Sequence, residues 1–150
     1  MTEEEEVWLE NEVKEFLGEI ELTHMTKSYK IPTLLCFIEN NTWIMNVSKE
    51  RLQEVWADYY LKPIHAKDML RNKNTKKWRE WKKDELSKLA IKNPVKYLAK
   101  SKFFHYDQIN KIFSIQESLK SYLTPRLARH FSDILTWRSL QYFAKRYGRE

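Results

Sequence analysis

Residues 124–147 read TPRLARHFSDILTWRSLQYFAKRY, and this stretch decides the fold class. Thr124 carries the side-chain oxygen of a helix N-cap. Pro125 follows at the first helical position, where a missing N–H costs nothing. Leu127, Phe131, Ile134, Leu135 and Phe143 share one face at helical spacing, so a helix is predicted over 125–147 with these residues as its inner stripe. Just upstream the pattern changes. Phe103-Phe104-His105-Tyr106 and Lys111-Ile112-Phe113-Ser114-Ile115 alternate with period two around Asp107-Gln108-Ile109-Asn110, which predicts a β-hairpin.

Further upstream, helical signals dominate. The chain has 150 residues, only two of them Gly and four Pro, too few for the tight turns of a β-rich fold. An acidic amphipathic helix is predicted over 3–22, with Leu9, Val13, Phe16, Leu17 and Ile20 on one face and Glu3 to Glu6 in its first turn. Ser28 and Pro32 suit the start of a helix running from about Ile31 to Glu39, ended by Asn40-Asn41. Thr42 to Val47 reads as a short strand. Ser48 caps a helix whose face carries Leu52, Val55, Trp56, Tyr59 and Tyr60, and which stops before Pro63. Residues 62–77 are polar, basic and poorly periodic, and read as a loop or frayed helix. A helix follows from Trp78 to Ile91, then a short one from Asn93-Pro94 through Ala99. Trp43, Trp56 and Trp137 are expected in the core.

The expected fold class is therefore mainly α with minor β: a helical domain with a short strand and one β-hairpin, in the element order of a winged helix-turn-helix. Residues 1–22 form its acidic helix and 23–150 a nucleic-acid-binding-like helical domain, the two packing as one compact unit. The fit to the winged plan has a flaw, because the stretch from Tyr60 to Trp78 is far longer than the usual inter-helix turn.

Charge is distributed unevenly. The net charge is +6, yet residues 1–22 hold nine acids and one Lys, whereas residues 62–102 hold fourteen Lys or Arg and four acids. A block of +10 within 41 residues attracts polyanions through phosphate contacts and counterion release. The plainer reading is a lysine-rich solvated face. Lys73, Lys76, Lys77, Arg79, Lys82, Lys83 and Lys88 are the candidate phosphate contacts. Trp78 and Trp81, interleaved among them, are candidates for supporting the surface or stacking on bases.

Other chemistries find little support. Cys36 is the single cysteine, which excludes an internal disulfide and sits in an apolar run as a small buried hydrophobe. His24, His65, His105 and His130 lack zinc-ligand spacing. The only glycines, Gly18 and Gly148, rule out glycine-rich phosphate loops. Asp68 with Glu80-Trp81-Lys82 satisfies a loose Asp…Glu-x-Lys nuclease pattern, but the last three residues read as helix where a strand is needed. No catalytic residue, metal or cofactor is assigned. No run of 18 apolar residues is present and the N-terminus is acidic, so neither a membrane span nor a signal peptide is expected, and the cytoplasm is the expected location.

Four segments carry a resemblance. Met25-Thr26-Lys27-Ser28-Tyr29-Lys30-Ile31-Pro32-Thr33-Leu34-Leu35 resembles a segment of bacterial restriction-type DEAD/DEAH helicases, in the C-terminal accessory module beyond their motor. Ile91 to Leu98, Phe103 to Asp107 and Tyr142 to Tyr147 are similar to the same module, so the resemblance spans about residues 23–147. It brings no functional residue with it, and this chain has no motor or nuclease motif. What it implies is a DNA-recognition or coupling module whose ATPase and nuclease activities sit on a helicase or nuclease partner.

The expected function is thus a non-catalytic nucleic-acid-binding module, with DNA favoured, in bacterial DNA restriction, defence or processing. The alternatives are a protein–protein adaptor that docks through the acidic helix, and a small metal-dependent nuclease using Asp68, Glu80 and Lys82.

Overall fold

The computed structural model describes residues 2–9 and 11–148, apart from the Leu9 side chain. Two helices, α1 (Glu3–Leu9) and α2 (Glu12–Leu22), stand where a single helix was expected over 3–22. The break comes from Asn11, whose extended backbone (φ −143°) leaves the helical region while its side chain accepts the Val13 N–H at 2.9 Å. Such a cap is worth about 1 kcal/mol over alanine. Val13, Phe16, Leu17 and Ile20 are buried as their spacing requires; the Leu9 position of that stripe lies outside the described side chains.

Next, α3 (Lys30–Leu35) ends before the expected Glu39. The chain turns at Cys36 and Phe37, and β1 (Ile38–Glu39) pairs antiparallel with β2 (Thr42–Trp43). Asn40 (φ 51°) and Asn41 (φ 60°) both take the left-handed conformation that asparagine tolerates and a two-residue hairpin turn demands. The expected strand over 42–47 is consequently divided, since β3 (Asn46–Val47) joins a different sheet.

The Ser48 cap is observed, its Oγ accepting the Arg51 N–H at 3.1 Å at the head of α4 (Lys49–Leu61). Half of the segment 62–77, expected as a loop or frayed helix, is regular helix: α5 (Pro63–Leu70) starts on Pro63 and buries Ala66, Asp68 and Met69. The charges of the surrounding 62–77 segment masked its one-sided pattern.

The expected helix over 78–91 is interrupted. Trp78–Glu80 forms a single 3₁₀ turn, Trp81 is extended (ψ 153°), and only Glu85–Ala90 is helical, as α6. That interruption buries the Trp78 ring and lets α6 settle on α4, where the Ser87 N–H donates to Gln53 Oε1 at 2.8 Å. The continuous recognition helix of a winged helix-turn-helix is therefore not formed. Nor does a new helix begin at Asn93. α6 passes through a π turn, Ile91–Val95, into α7 (Lys96–Leu98), and the wider turn accommodates Pro94, which has no N–H to place.

The predicted hairpin is present as β4 (Phe104–Asp107) and β5 (Ile112–Ile115), paired from Phe104↔Ile115 to Asp107↔Ile112. β3 adds to its far edge, giving a three-stranded sheet ordered β3-β5-β4. The final helix, α8 (Pro125–Tyr147), begins as predicted, with Thr124 Oγ1 accepting the Leu127 N–H at 3.1 Å. The molecule is mainly α with minor β, as its sparse glycine implies: 62% helix against 10% strand.

Aromatic rings hold these elements together. Phe16 of α2 stacks on Phe131 of α8 at 5.8 Å, and Phe37 packs on Phe104 and Phe113 of the sheet at 5.7 and 5.1 Å. A second cluster joins Tyr29, Trp56, Tyr59 and Tyr60, with Trp56 Nε1 donating to Thr33 Oγ1 at 3.0 Å. Trp56 is core as expected and Trp43 is half-buried, its Nε1 on the Thr124 carbonyl at 2.8 Å. Trp137 is not core: it is 61% exposed. The buried row of α8 runs Phe131, Leu135, Ser139, Phe143 at intervals of four, and a residue two beyond Leu135 faces the opposite way.

Candidate nucleic-acid interface

The segment from α5 to α6 is a series of turns anchored at two points. Thr75 is buried, and its Oγ1 donates to the Met69 carbonyl at 2.6 Å. Three residues on, the Trp78 ring is driven into the core, 5% exposed. Asn72 supports the turn between them, its carbonyl receiving the N–H groups of Thr75 and Lys76 at 3.1 and 2.8 Å. Its side-chain oxygen takes the Asn74 N–H at 2.8 Å.

This anchoring fixes which side chains face solvent. Lys73, Lys76, Lys77, Arg79, Lys82 and Lys83 are all exposed, and none makes an ion pair among the described residues. The Arg79 guanidinium lies over the Trp78 ring, 5.6 Å from its centroid. Lys88 differs: it is exposed but sits 3.6 Å from Asp84, a carboxylate also 3.8 Å from Lys49. Of the two tryptophans expected among the lysines, Trp78 supports the surface from beneath and has no face for a base, and Trp81 is half-buried against the core. The Trp78 Nε1 is buried without a hydrogen-bond acceptor, a cost of about 1–3 kcal/mol accepted to seat the ring.

Sequence reasoning missed a cleft of about 600 Å³ beside this segment. Its walls are the 24–30 connection, the 72–75 turn and the helical stretch from Leu89 to Tyr97. The Lys27 ammonium stands 5.7 Å from the Tyr29 ring, and Lys30 donates to Thr23 Oγ1 and the His24 carbonyl at 2.8 and 2.7 Å. Burial lowers the Lys30 pKa. No local sequence pattern marks this lining, which is drawn from three separated segments.

The Asp68…Glu80-x-Lys82 pattern is not brought together as a nuclease site would be. Asp68, 3% exposed on α5, has both oxygens occupied. Oδ2 accepts the Ser28 N–H at 2.9 Å; Oδ1 accepts the Tyr142 hydroxyl at 2.9 Å and also the Tyr147 hydroxyl. Arg146 Nε lies 3.7 Å away. Burial raises the pKa values of Tyr142 and Tyr147, and the Asp68 charge raises them further, so both remain proton donors to it. Glu80 and Lys82 are exposed on the far side of the Trp78 anchor in sequence. Among the described residues no three His, Cys, Asp or Glu side chains cluster as a metal site would need, and no helix is long and apolar enough to cross a membrane.

The acidic helices bind inward in part. Glu4 accepts from Thr124 Oγ1 at 2.6 Å, Glu5 pairs with Arg126 at 3.5 Å, and Glu15 pairs with Lys102 at 2.6 Å. Comparison with protein-family models finds no match, and no curated protein or solved structure matches the chain.

Proposed function

We propose that this chain is a non-catalytic nucleic-acid-binding module, with DNA its favoured ligand, serving DNA restriction, defence or processing in a bacterial cytoplasm. One observation carries the reading: six exposed cations between Lys73 and Lys83 sit on a turn segment pinned by Thr75 and Trp78, with no ion-pair partner among the described residues. Cations left unneutralised on a backbone held in place are what phosphates require, because no internal ion pair has to be broken and no backbone has to be ordered on binding. The resemblance to the accessory module of restriction-type helicases supports the biological setting and a helicase or nuclease partner. For such a partner α8 offers Trp137 and Leu140, the latter 62% exposed.

Fluorescence anisotropy with labelled single- and double-stranded DNA across a salt series tests the proposal. If the six cations each neutralise one phosphate, log K falls against log salt with a slope of about −5. Changing Lys76, Lys77, Lys82 and Lys83 together to Glu abolishes binding while the circular-dichroism melt stays unchanged. Retained affinity in that variant, or no binding by the unaltered chain at low salt, rejects the reading.

A further inference from the structure

We propose that the cleft between residues 24–30, 72–75 and 89–97 binds a single unpaired nucleotide, its base against the Tyr97 ring and its phosphate at Lys27. The inference rests on the nucleic-acid reading above and specifies what that reading leaves open, namely where a base is held.

The lining determines the ligand. Lys27, Lys30 and His24 are present and no Asp or Glu is, so the cleft favours an anion. Lys30 is committed to Thr23 and His24, which leaves Lys27 as the ammonium for a phosphate. Three asparagines, Asn72, Asn74 and Asn93, share the walls. A carboxamide offers a donor pair and an acceptor together, the complement of a base edge. Asn72 keeps its NH₂ donors while its oxygen holds the Asn74 N–H, and the side chains of Asn74 and Asn93 make no hydrogen bond among the described residues.

Tyr97 supplies the flat surface. It is 53% exposed, unusual for a large ring in a protein that buries most of its aromatics, and it projects from a helical segment fixed at Val95 and Leu98. The Lys100 ammonium lies over the ring, 4.9 Å from its centroid. Met25 and Leu89 add apolar lining beside the buried Tyr29 and Thr75. A volume of about 600 Å³ falls within the usual range of small-molecule sites.

The cleft also meets the cation track. Lys73 and Lys76 adjoin the 72–75 wall, and Lys92 and Lys96 flank Asn93 and Tyr97, all exposed. A strand following those lysines delivers a base to the cleft only if that base is unpaired.

The test uses the full chain, isotope-labelled for amide NMR, titrated with thymidine 5′-monophosphate and, separately, with inorganic phosphate. The nucleotide shifts the resonances of Asn72, Asn74, Asn93 and Tyr97; phosphate alone leaves Asn93 and Tyr97 unmoved. In parallel, Tyr97→Ala weakens binding of a single-stranded oligonucleotide by about 5- to 150-fold, the range for one lost stacking contact, with blunt-duplex affinity and the melt unchanged. Tyr97→Phe restores the affinity. The absence of nucleotide-specific shifts overturns the inference, as does an equal loss on duplex and single strand. Nucleotide shifts without binding of any strand uphold the cleft as a nucleotide site and reject the nucleic-acid function alone.

Discussion

Replacing Asp68 with Ala removes one carboxylate and leaves several donors without an acceptor. The Ser28 N–H is fully buried and the Tyr147 hydroxyl nearly so, while Tyr142 is half-buried and can turn to water. Each buried donor left unpaired costs about 1–3 kcal/mol, so the two buried ones predict a loss of about 2–6 kcal/mol. Recovery of the carboxylate's own desolvation opposes this, but three hydrogen bonds to a charged acceptor outweigh it at about 1.5–3 kcal/mol each. Against a total of about 5–15 kcal/mol the loss is severe, and for a chain of this size it lowers Tm by about 2–4 °C per kcal/mol. Asp68→Asn is milder: its oxygen can keep the Ser28 N–H while its NH₂ faces the tyrosine oxygens, which accept as well as donate. Urea unfolding monitored by tryptophan fluorescence measures both variants. An Asp68→Ala loss below about 1 kcal/mol, or an Asn variant less stable than the Ala variant, refutes the account of Asp68 as a structural acceptor.

Alkaline pH should unfold the protein through its buried tyrosines. Burial pushes the Tyr29 pKa from 10.0 up to about 12, and those of Tyr59, Tyr60, Tyr142 and Tyr147 also rise. From pH 10 upward the unfolded chain loses these protons first, so stability is intact below pH 10 and falls above it, by up to about 1.4 kcal/mol per pH unit for a fully buried hydroxyl such as that of Tyr60 and by less for the half-buried Tyr142; stability that stays flat to pH 12 in urea melts contradicts this. Trp56→Ala should cost about 3–5 kcal/mol and Trp137→Ala less than about 0.5 kcal/mol, a contrast that the same melts resolve. The Cys36 thiol, raised to about 12 by burial, should resist alkylation in the folded chain at pH 8 and react on denaturation.

What the sequence disclosed were features written within a few residues. Thr124-Pro125 starts α8, Ser48 starts α4, and the period-two pairs flank the 108–111 turn. Asn-Asn at 40–41 was read as a helix stop, although two left-handed residues in succession also make a hairpin turn, and that ambiguity hid β1 and β2. The helix over 78–91 failed because Trp78 is buried on a single 3₁₀ turn and the chain leaves helical geometry at Trp81, so tertiary burial overrode local periodicity. The lysines of the basic block were legible from charge alone, whereas the cleft draws on three separated segments and has no local pattern. The Asp68 site was legible only as a misleading motif, because its partners lie 40, 74 and 79 positions away.

Those separations have a consequence in time. At about 5–20 residues per second, a ribosome emits Tyr147 roughly 4–16 s after Asp68. Throughout that interval α5 carries an acid whose tyrosine donors do not yet exist, so a water-exposed carboxylate is favoured over a dry one. Docking of α5 before the last turn of α8 arrives would leave the buried carboxylate with the Ser28 N–H but neither tyrosine hydroxyl.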